Sequence, residues 1–299
     1  MTKLEFSKYQ GCGNDFVIID APFSQQISPG YRGELARFIC DRHFGIGADD
    51  VLYLEPSSMA DAGMKIFDAQ GPEADMCGNG IRCAGAYLGT KLNKTQVRIA
   101  TNDGVKVIEN QGGTYRVGLG RLRTRMDDAG QYFSDSFPGD EALINKAIAF
   151  PNFGELNVSI VNSGEPHCVI FLDDIEKEDI DQYGKNICEN RELFPYGINV
   201  DLVQITGENK LKIRTYERGV FAETLACGTG AAASAGVAYV TGRIKARSVE
   251  VALPGGTIQI EIGGDDLYLI GPAVHVFNGH IEVDNSRFEE EAKVGEYSS

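Results

Sequence analysis

Over much of the 299-residue chain, apolar and polar positions alternate in short runs. That is the period of strands with one buried face. Segments 64–67, 105–108, 211–214 and 257–262 predict such strands, and 97–104 and 249–256 each predict a strand with its hairpin turn. Segments 31–41 and 175–190 carry apolar residues at helical spacing and predict amphipathic helices. Segments 81–88 and 231–240 are runs of small residues that predict helices able to approach their neighbours closely.

These elements recur in order. Cys77-Gly78-Asn79-Gly80 and Cys227-Gly228-Thr229-Gly230 share a C-G-x-G pattern and lie half the chain length apart. Each follows a strand-like run and precedes a small-residue helix. Strand and hairpin turn at 97–104 match those at 249–256, and the turn-plus-strand opening at 8–19 matches 160–171. The pattern predicts an α+β protein built as two pseudo-symmetric halves by internal duplication. Residues 1–126 form the lobe carrying Cys77, and residues 146–288 the lobe carrying Cys227. A weakly patterned connection covers 127–145, and 289–299 is a charged, frayed tail.

Composition sharpens this in three ways. Glycine is 36 of 299 residues, about 12% against roughly 7% in typical chains, so tight turns and close backbone approaches are frequent. A formal charge of -15 leaves no electrostatic footprint for nucleic-acid phosphates or anionic lipid, so neither is an expected partner. The opening MTKLEFSKYQ lacks signal-peptide and transit patterns, and no apolar run reaches the ~18 residues of a spanning helix; a cytoplasmic protein is expected. Seven cysteines without a C-x-x-C pair fit neither a disulfide framework nor a zinc site. Reduced thiols and no metal are the expectation.

The chemistry concentrates at the two C-G-x-G turns. A glycine-rich turn opening a helix presents N–H groups and the positive end of the helix dipole, a place for an anion. Cysteine there gains thiolate character and can act as a base or nucleophile. If the halves face one another, two helix N-termini can grip one carboxylate with a sulfur on either side. A thiolate on one face and a thiol on the other can invert the carbon next to that carboxylate without a cofactor. Read singly, each cysteine is a buried core residue in a structural turn; the repetition at mirrored positions argues against that for both. Cys12, Cys40, Cys83, Cys168 and Cys188 read as core.

Segments 8–16 (KYQGCGNDF), 41–49 (DRHFGIGAD), 76–83 (MCGNGIRC), 164–168 (GEPHC), 216–219 (YERG), 223–230 (ETLACGTG) and 271–277 (GPAVHVF) resemble, in order, those of the diaminopimelate epimerase family. The resemblance spans nearly the whole chain. It implies two lobes, each a β-barrel-like sheet around a central helix. It also implies cofactor-independent interconversion of LL- and meso-diaminopimelate, a step of lysine biosynthesis. Cys77 and Cys227 would be the acid/base pair, and the amides at Gly78-Asn79 and Gly228-Thr229 would hold the reacting carboxylate. Asn14, Asn79, His167, Asn199, Glu217 and Arg218 match family positions that shape or assist the site, with His167 and Glu217 beside the chemistry. An amino-acid substrate and a homodimer are implied on the same ground. Taken alone, Asn14 reads as a turn residue, His167 as a core histidine and Glu217-Arg218 as a solvated pair.

Three positions depart from the family, which usually carries an amide at Asp50, Asp68 and Glu165. Diaminopimelate ends distally in an ammonium and a carboxylate, the latter met by amides and an arginine such as Arg218; extra acids would repel it. Either these acids are paired with cations, or the substrate ends in a cation, as lysine, ornithine, arginine or histidine does. The segment from Gly219 to Ala222 is also one residue longer than the commonest family spacing, a form the family includes. A third reading is a non-enzymatic thiol/disulfide switch or binding protein, for which activity should survive oxidation of the two cysteines.

Overall fold

The first hairpin shows how turn chemistry sets the topology. Strands β1 (Thr2–Gly11) and β2 (Asn14–Ile19) pair antiparallel with Gly11 opposite Asn14. Cys12 and Gly13 between them both hold positive φ, 55° and 85°, as a two-residue primed turn requires. In this computed structural model the chain is described over residues 2–74, 77–125 and 143–284.

The first unit takes in the chain up to Tyr115 together with the segment from Ala273 onward. After β2 come α1 (Arg32–Cys40), β3 (Asp50–Glu55), β4 (Ala62–Asp68), the short β5 (Glu73–Ala74), α2 (Gly78–Leu92), β6 (Gln96–Thr101) and β7 (Gly104–Asn110). Strand β3 runs parallel to β2 and antiparallel to β4, and β4 runs parallel to β6. Val51, Leu52, Tyr53 and Leu54 of β3 are all buried, the pattern of a strand covered on both faces. Leu35 and Ile39 of α1 cover one side, packing with Val17, Ile19, Val51 and Tyr53. Helix α2 lies against β1, β2, β3, β6 and β7. Gly85 makes that approach possible, since a Cβ there would sit 2.4 Å from Ile108 Cγ2 on β7.

β8 (Thr114–Arg121) leads into the second unit, Arg116–Pro272. Its elements are β9 (Lys146–Phe150), β10 (Gly154–Asn162), β11 (Pro166–Phe171), α3 (Ile180–Tyr183), β12 (Asn199–Gly207), β13 (Lys210–Glu217), β14 (Ala222–Thr224), α4 (Gly228–Val240), β15 (Ser248–Leu253), β16 (Gly256–Gly263) and β17 (Asp266–Pro272). Pairing directions from β10 onward repeat those from β1: antiparallel β10–β11, parallel β11–β12, antiparallel β12–β13, parallel β13–β15, antiparallel β15–β16. Ten of the thirteen residues of α4 are buried, as expected of a helix that is apolar all round.

Two expectations are corrected. The units divide at Tyr115/Arg116 and Pro272/Ala273, not as 1–126 and 146–288. The last strand, β18 (Val274–Val283), pairs antiparallel with β1 from Thr2 to Gln10, which returns it to the first unit. The supposed connection at 127–145, apart from its last three residues, and the tail at 289–299 lie outside the described residues. Segment 175–190 is not one helix: it is a 3-10 turn (Ile175–Lys177), then α3, then a π-helical turn (Gly184–Cys188). Asp174 and Asp179 each cap a new start by accepting a backbone N–H. Gly184 lets the backbone press onto the Tyr216 ring, 2.3 Å from where a Cβ would be.

Candidate active site

In the first unit the site begins at the N-cap of α2. Cys77 has extended backbone, and its Sγ accepts the Gly80 N–H at 3.4 Å. That donor and the helix dipole both favour negative charge on the sulfur. Asn14, brought close by the first hairpin, sits 3.7 Å from Sγ through Oδ1, which also accepts from Asn79 Nδ2 at 3.0 Å. Asn14 Nδ2 in turn donates to Asp49 Oδ2 at 2.7 Å, and Arg42 donates to Asp49 Oδ1 at 2.7 Å. Beneath them the fully buried Arg82 donates to Asn79 Oδ1 and to Gly78 O, at 2.9 and 3.1 Å. Asn79 is thereby clamped from both ends of its amide.

The second unit repeats the cap. Cys227 Sγ accepts the Gly230 N–H at 3.3 Å and lies 3.4 Å from Thr229 Oγ1. His167 is wholly buried, with Nδ1 2.7 Å from Asp201 Oδ2 and Nε2 3.0 Å from Thr229 Oγ1. Asn199 Oδ1 accepts the Arg218 N–H at 2.9 Å, which turns Asn199 Nδ2 toward His167 Nε2 at 3.5 Å. The Glu217 carboxyl accepts from Thr224 Oγ1 and from the Cys227 thiol. Burial pushes the Glu217 carboxyl up from its ordinary value. Cys227 is pushed well above the ordinary thiol value by burial and then by the charges of Glu217 and Asp201. It rests as the protonated thiol. The first turns of α2 and α4 present the amides of Gly78-Asn79 and Gly228-Thr229, N–H groups of the kind a helix does not use internally.

The departing acids are accounted for unequally. Glu165 pairs with Arg218, which donates from Nε at 3.0 Å and from Nη2. Asp68 accepts the Gln70 N–H at 2.7 Å and so shapes its own turn. It stands directly opposite Asp50 across β3 and β4, two half-buried acids side by side. The five thiols expected in the core are all buried, and burial drives Cys40 to about 12. Three supporting residues were not singled out from the sequence: Asp49, Arg82 and Asp201. The signal for Asp201 was present, since Asn199 and Asp201 interrupt an apolar strand two apart and therefore share a face.

The diaminopimelate epimerase family model matches residues 6–124 and 159–276. The chain belongs to the diaminopimelate epimerase family. It is 39% identical over 288 residues to a diaminopimelate epimerase of Methanocella arvoryzae, covering 96% of this chain and 99% of that one. A diaminopimelate epimerase of Nostoc punctiforme is 38% identical, with 93% and 99% covered. The fold resembles a hydroxyproline epimerase from Agrobacterium vitis (TM-score 0.67, 14% identity, 95% of this chain and 92% of that). It also resembles a PhzF-family phenazine biosynthesis protein from Bacillus anthracis (TM-score 0.65, 16% identity, 95% and 100%). Membership of the diaminopimelate epimerase family fits a small-molecule amino-acid substrate. No helix among the described residues is long and apolar enough to cross a membrane.

Gly230 is a tightly packed position in the Cys227 cap. A Cβ there would meet Asp201 Oδ1 at 2.4 Å and Thr215 Oγ1 at 3.1 Å. Gly230→Ala is expected to cost about 2 kcal/mol by overpacking, a drop in Tm of roughly 4–8 °C by calorimetry. Turnover should fall with it, because the displaced carboxylate holds His167.

Proposed function

We propose that the protein is a cofactor-independent epimerase that interconverts LL- and meso-diaminopimelate through two thiols. The observation that carries the reading is the matched pair of helix caps. Each is a cysteine whose sulfur accepts the N–H three residues on, Gly80 or Gly230, at the start of a helix rich in small residues. In this reading the lobes are the products of one duplication, each a barrel-like sheet around its helix. Cys77 as thiolate removes the α-proton from one face, and the Cys227 thiol supplies a proton to the other. Charge developing on the substrate carboxylate falls on the first-turn amides of α2 and α4, fixed donors that need no reorganisation. Asn14 and Asn79 orient the Cys77 side; His167, Asn199 and Glu217 serve Cys227. In the reverse direction the two sulfurs exchange roles. We read the protein as cytoplasmic and homodimeric on family grounds; sedimentation velocity tests the dimer.

A second reading keeps the chemistry and changes the substrate. Asp50 and Asp68, opposite one another across β3 and β4, favour a basic amino acid, whose distal cation they would meet, whereas the Glu165–Arg218 pair fits the first reading. Proton NMR of Cα–H exchange in deuterated water, with reduced protein, separates the two. The panel is LL-diaminopimelate, lysine, ornithine, arginine, histidine and glutamate. Exchange with diaminopimelate alone is the expected outcome. Exchange with a basic amino acid alone would replace the first reading by the second.

A pH expectation follows from Cys227. Its raised thiol value means that iodoacetamide should label the half-exposed Cys77 well before Cys227 near pH 8, by roughly tenfold or more. The Cys227 rate should still be climbing above the ordinary thiol value of about 8.5. Peptide mass spectrometry over pH 7–10.5 gives both rates.

A further inference from the structure

We infer that Asp201 is a positioning residue for the acid/base chemistry of Cys227, acting through His167 and Thr229. The inference rests on the two-thiol reading and adds a residue to it. Asp201 is completely buried, and its two carboxylate oxygens are separately engaged: Oδ2 with His167 Nδ1 at 2.7 Å, Oδ1 with Thr215 Oγ1 at 2.7 Å.

The hydrogen-bond network fixes the imidazole. Arg218 N–H can only donate, so Asn199 presents Oδ1 to it and Nδ2 to His167. Nε2 then faces an N–H donor and is the accepting nitrogen. Nδ1 carries the proton and donates it to Asp201. Thr229 Oγ1 bridges the accepting Nε2 to Cys227 Sγ, at 3.0 and 3.4 Å.

A proton can pass along that line without any net change elsewhere. With the Cys227 thiol turned from Glu217 to Thr229, its S–H bond breaks as the proton goes to Thr229 Oγ1, while the Thr229 hydroxyl proton goes to His167 Nε2. A thiolate and an imidazolium result, and the bonding electrons stay with sulfur. Asp201 is the anion against which that imidazolium is held. The reverse passage restores the thiol. Without Asp201 the buried imidazolium would lose the anion in contact with its Nδ1–H, which is costly in a low dielectric.

Position and charge make opposite forecasts for Asp201→Asn, and this provides the test. The charged groups acting on Cys227 are Glu217 from β13 and Asp201 from β12, and His167 from β11 reaches it through Thr229. If Asp201 acted only as a nearby negative charge, its removal would move Cys227 alkylation to lower pH. If it holds the imidazolium that accompanies the thiolate, removal moves alkylation to higher pH.

The experiment uses full-length reduced protein: wild type, D201N, H167Q and the double variant. Iodoacetamide labelling of the Cys227 peptide is followed against pH, and kcat and KM are measured with LL-diaminopimelate. The expected result is an upward shift of the Cys227 profile in D201N. A kcat lower by about 10- to 100-fold with KM changed by less than about threefold should accompany it. In the H167Q background D201N should add almost nothing, the non-additivity of groups that act as a unit. A downward shift, or full additivity of the two substitutions, overturns the inference. The labelling arm needs no substrate, so failure of the wild type to turn over diaminopimelate would count against the proposed activity and leave the role of Asp201 to the labelling result. Thr215→Val, which removes one bond to Asp201 and leaves its charge, covers the case in which D201N does not fold; it should shift the profile in the same direction by a smaller amount.

Discussion

Alanine in place of Cys77 or Cys227 is expected to lower interconversion of LL- and meso-diaminopimelate by about 10³-fold or more, since each inversion needs a proton removed on one face and supplied on the other. The two variants should fail in different ways. In Cys227→Ala the remaining thiol can still remove a proton from the isomer whose Cα–H faces it. That thiol exchanges with solvent and returns deuterium to the same face. One isomer should therefore wash out its Cα–H in deuterated water without inverting, and the other should not exchange. Cys77→Ala should show the mirror result, more slowly near neutral pH because Cys227 rests as a thiol held protonated by burial, Glu217 and Asp201. In wild type, deuterium should appear first in the product, as the two sulfurs carry different protons. Turnover within tenfold of wild type in either variant, or equal early labelling of substrate and product, would sink the two-base mechanism. The substitutions should be structurally mild: Cys77 is half-exposed, and Cys227 is lined by polar partners that a methyl group leaves room for.

Glu217→Gln should report on the same pocket through stability. The folded-state value of Glu217 is raised above that of the unfolded chain, so its favourable contribution is complete below the unfolded value of about 4.3 and is lost as pH rises through the folded value. Glutamine keeps an oxygen for Thr224 and Cys227 and does not titrate. The variant should melt higher than wild type at pH 8, with the gap closing toward pH 4, while turnover falls. A gap independent of pH would mean that the carboxyl is not strained by burial.

How much of this was legible in the sequence depended on whether the cause was local. The two caps were legible because Cys-Gly-x-Gly before a small-residue helix specifies the turn and the helix start within four residues; the structure begins those helices at Gly78 and Gly228, slightly earlier than the apolar pattern alone indicated. The strand-and-turn segments at 97–104 and 249–256 were legible from alternation and turn residues. The return of β18 to β1 was not, because nothing in the run from Val274 to Val283 names its partner; a ten-residue strand pairs by register with residues at the other end of the chain. The broken segment at 175–190 keeps helical spacing, and only the tertiary contact of Gly184 with Tyr216 and the caps at Asp174 and Asp179 divide it. His167 was legible by resemblance, whereas its partner Asp201 arrives from the next strand through parallel pairing, Val169 opposite Asp201. A partner's identity in a buried network is decided by that register, which composition does not encode.

The substrate question turns on what the Glu165–Arg218 pair costs to open. Its side chains are 38% and 27% exposed, and such pairs contribute about 0–1 kcal/mol. Arg218 can therefore leave Glu165 for a substrate carboxylate at little cost, and a bidentate carboxylate returns at least as much. The released Glu165 carboxylate is then free to meet a distal ammonium. A distal centre that bears both groups, as in diaminopimelate, satisfies both residues; a basic amino acid satisfies Glu165 and leaves Arg218 opposed to a like charge. Arg218→Met should accordingly lower kcat/KM for LL-diaminopimelate by about 10²-fold or more, the penalty for leaving a recognised polar group unmatched. Glu165→Gln should lower it only about three- to tenfold, because an amide oxygen still accepts from an ammonium. If lysine is the true substrate the order reverses: Glu165→Gln becomes the damaging change, and Arg218→Met is neutral or favourable because it removes the repulsion. Measuring both variants with both substrates reads the specificity from the sign of the difference, independently of how fast either reaction runs.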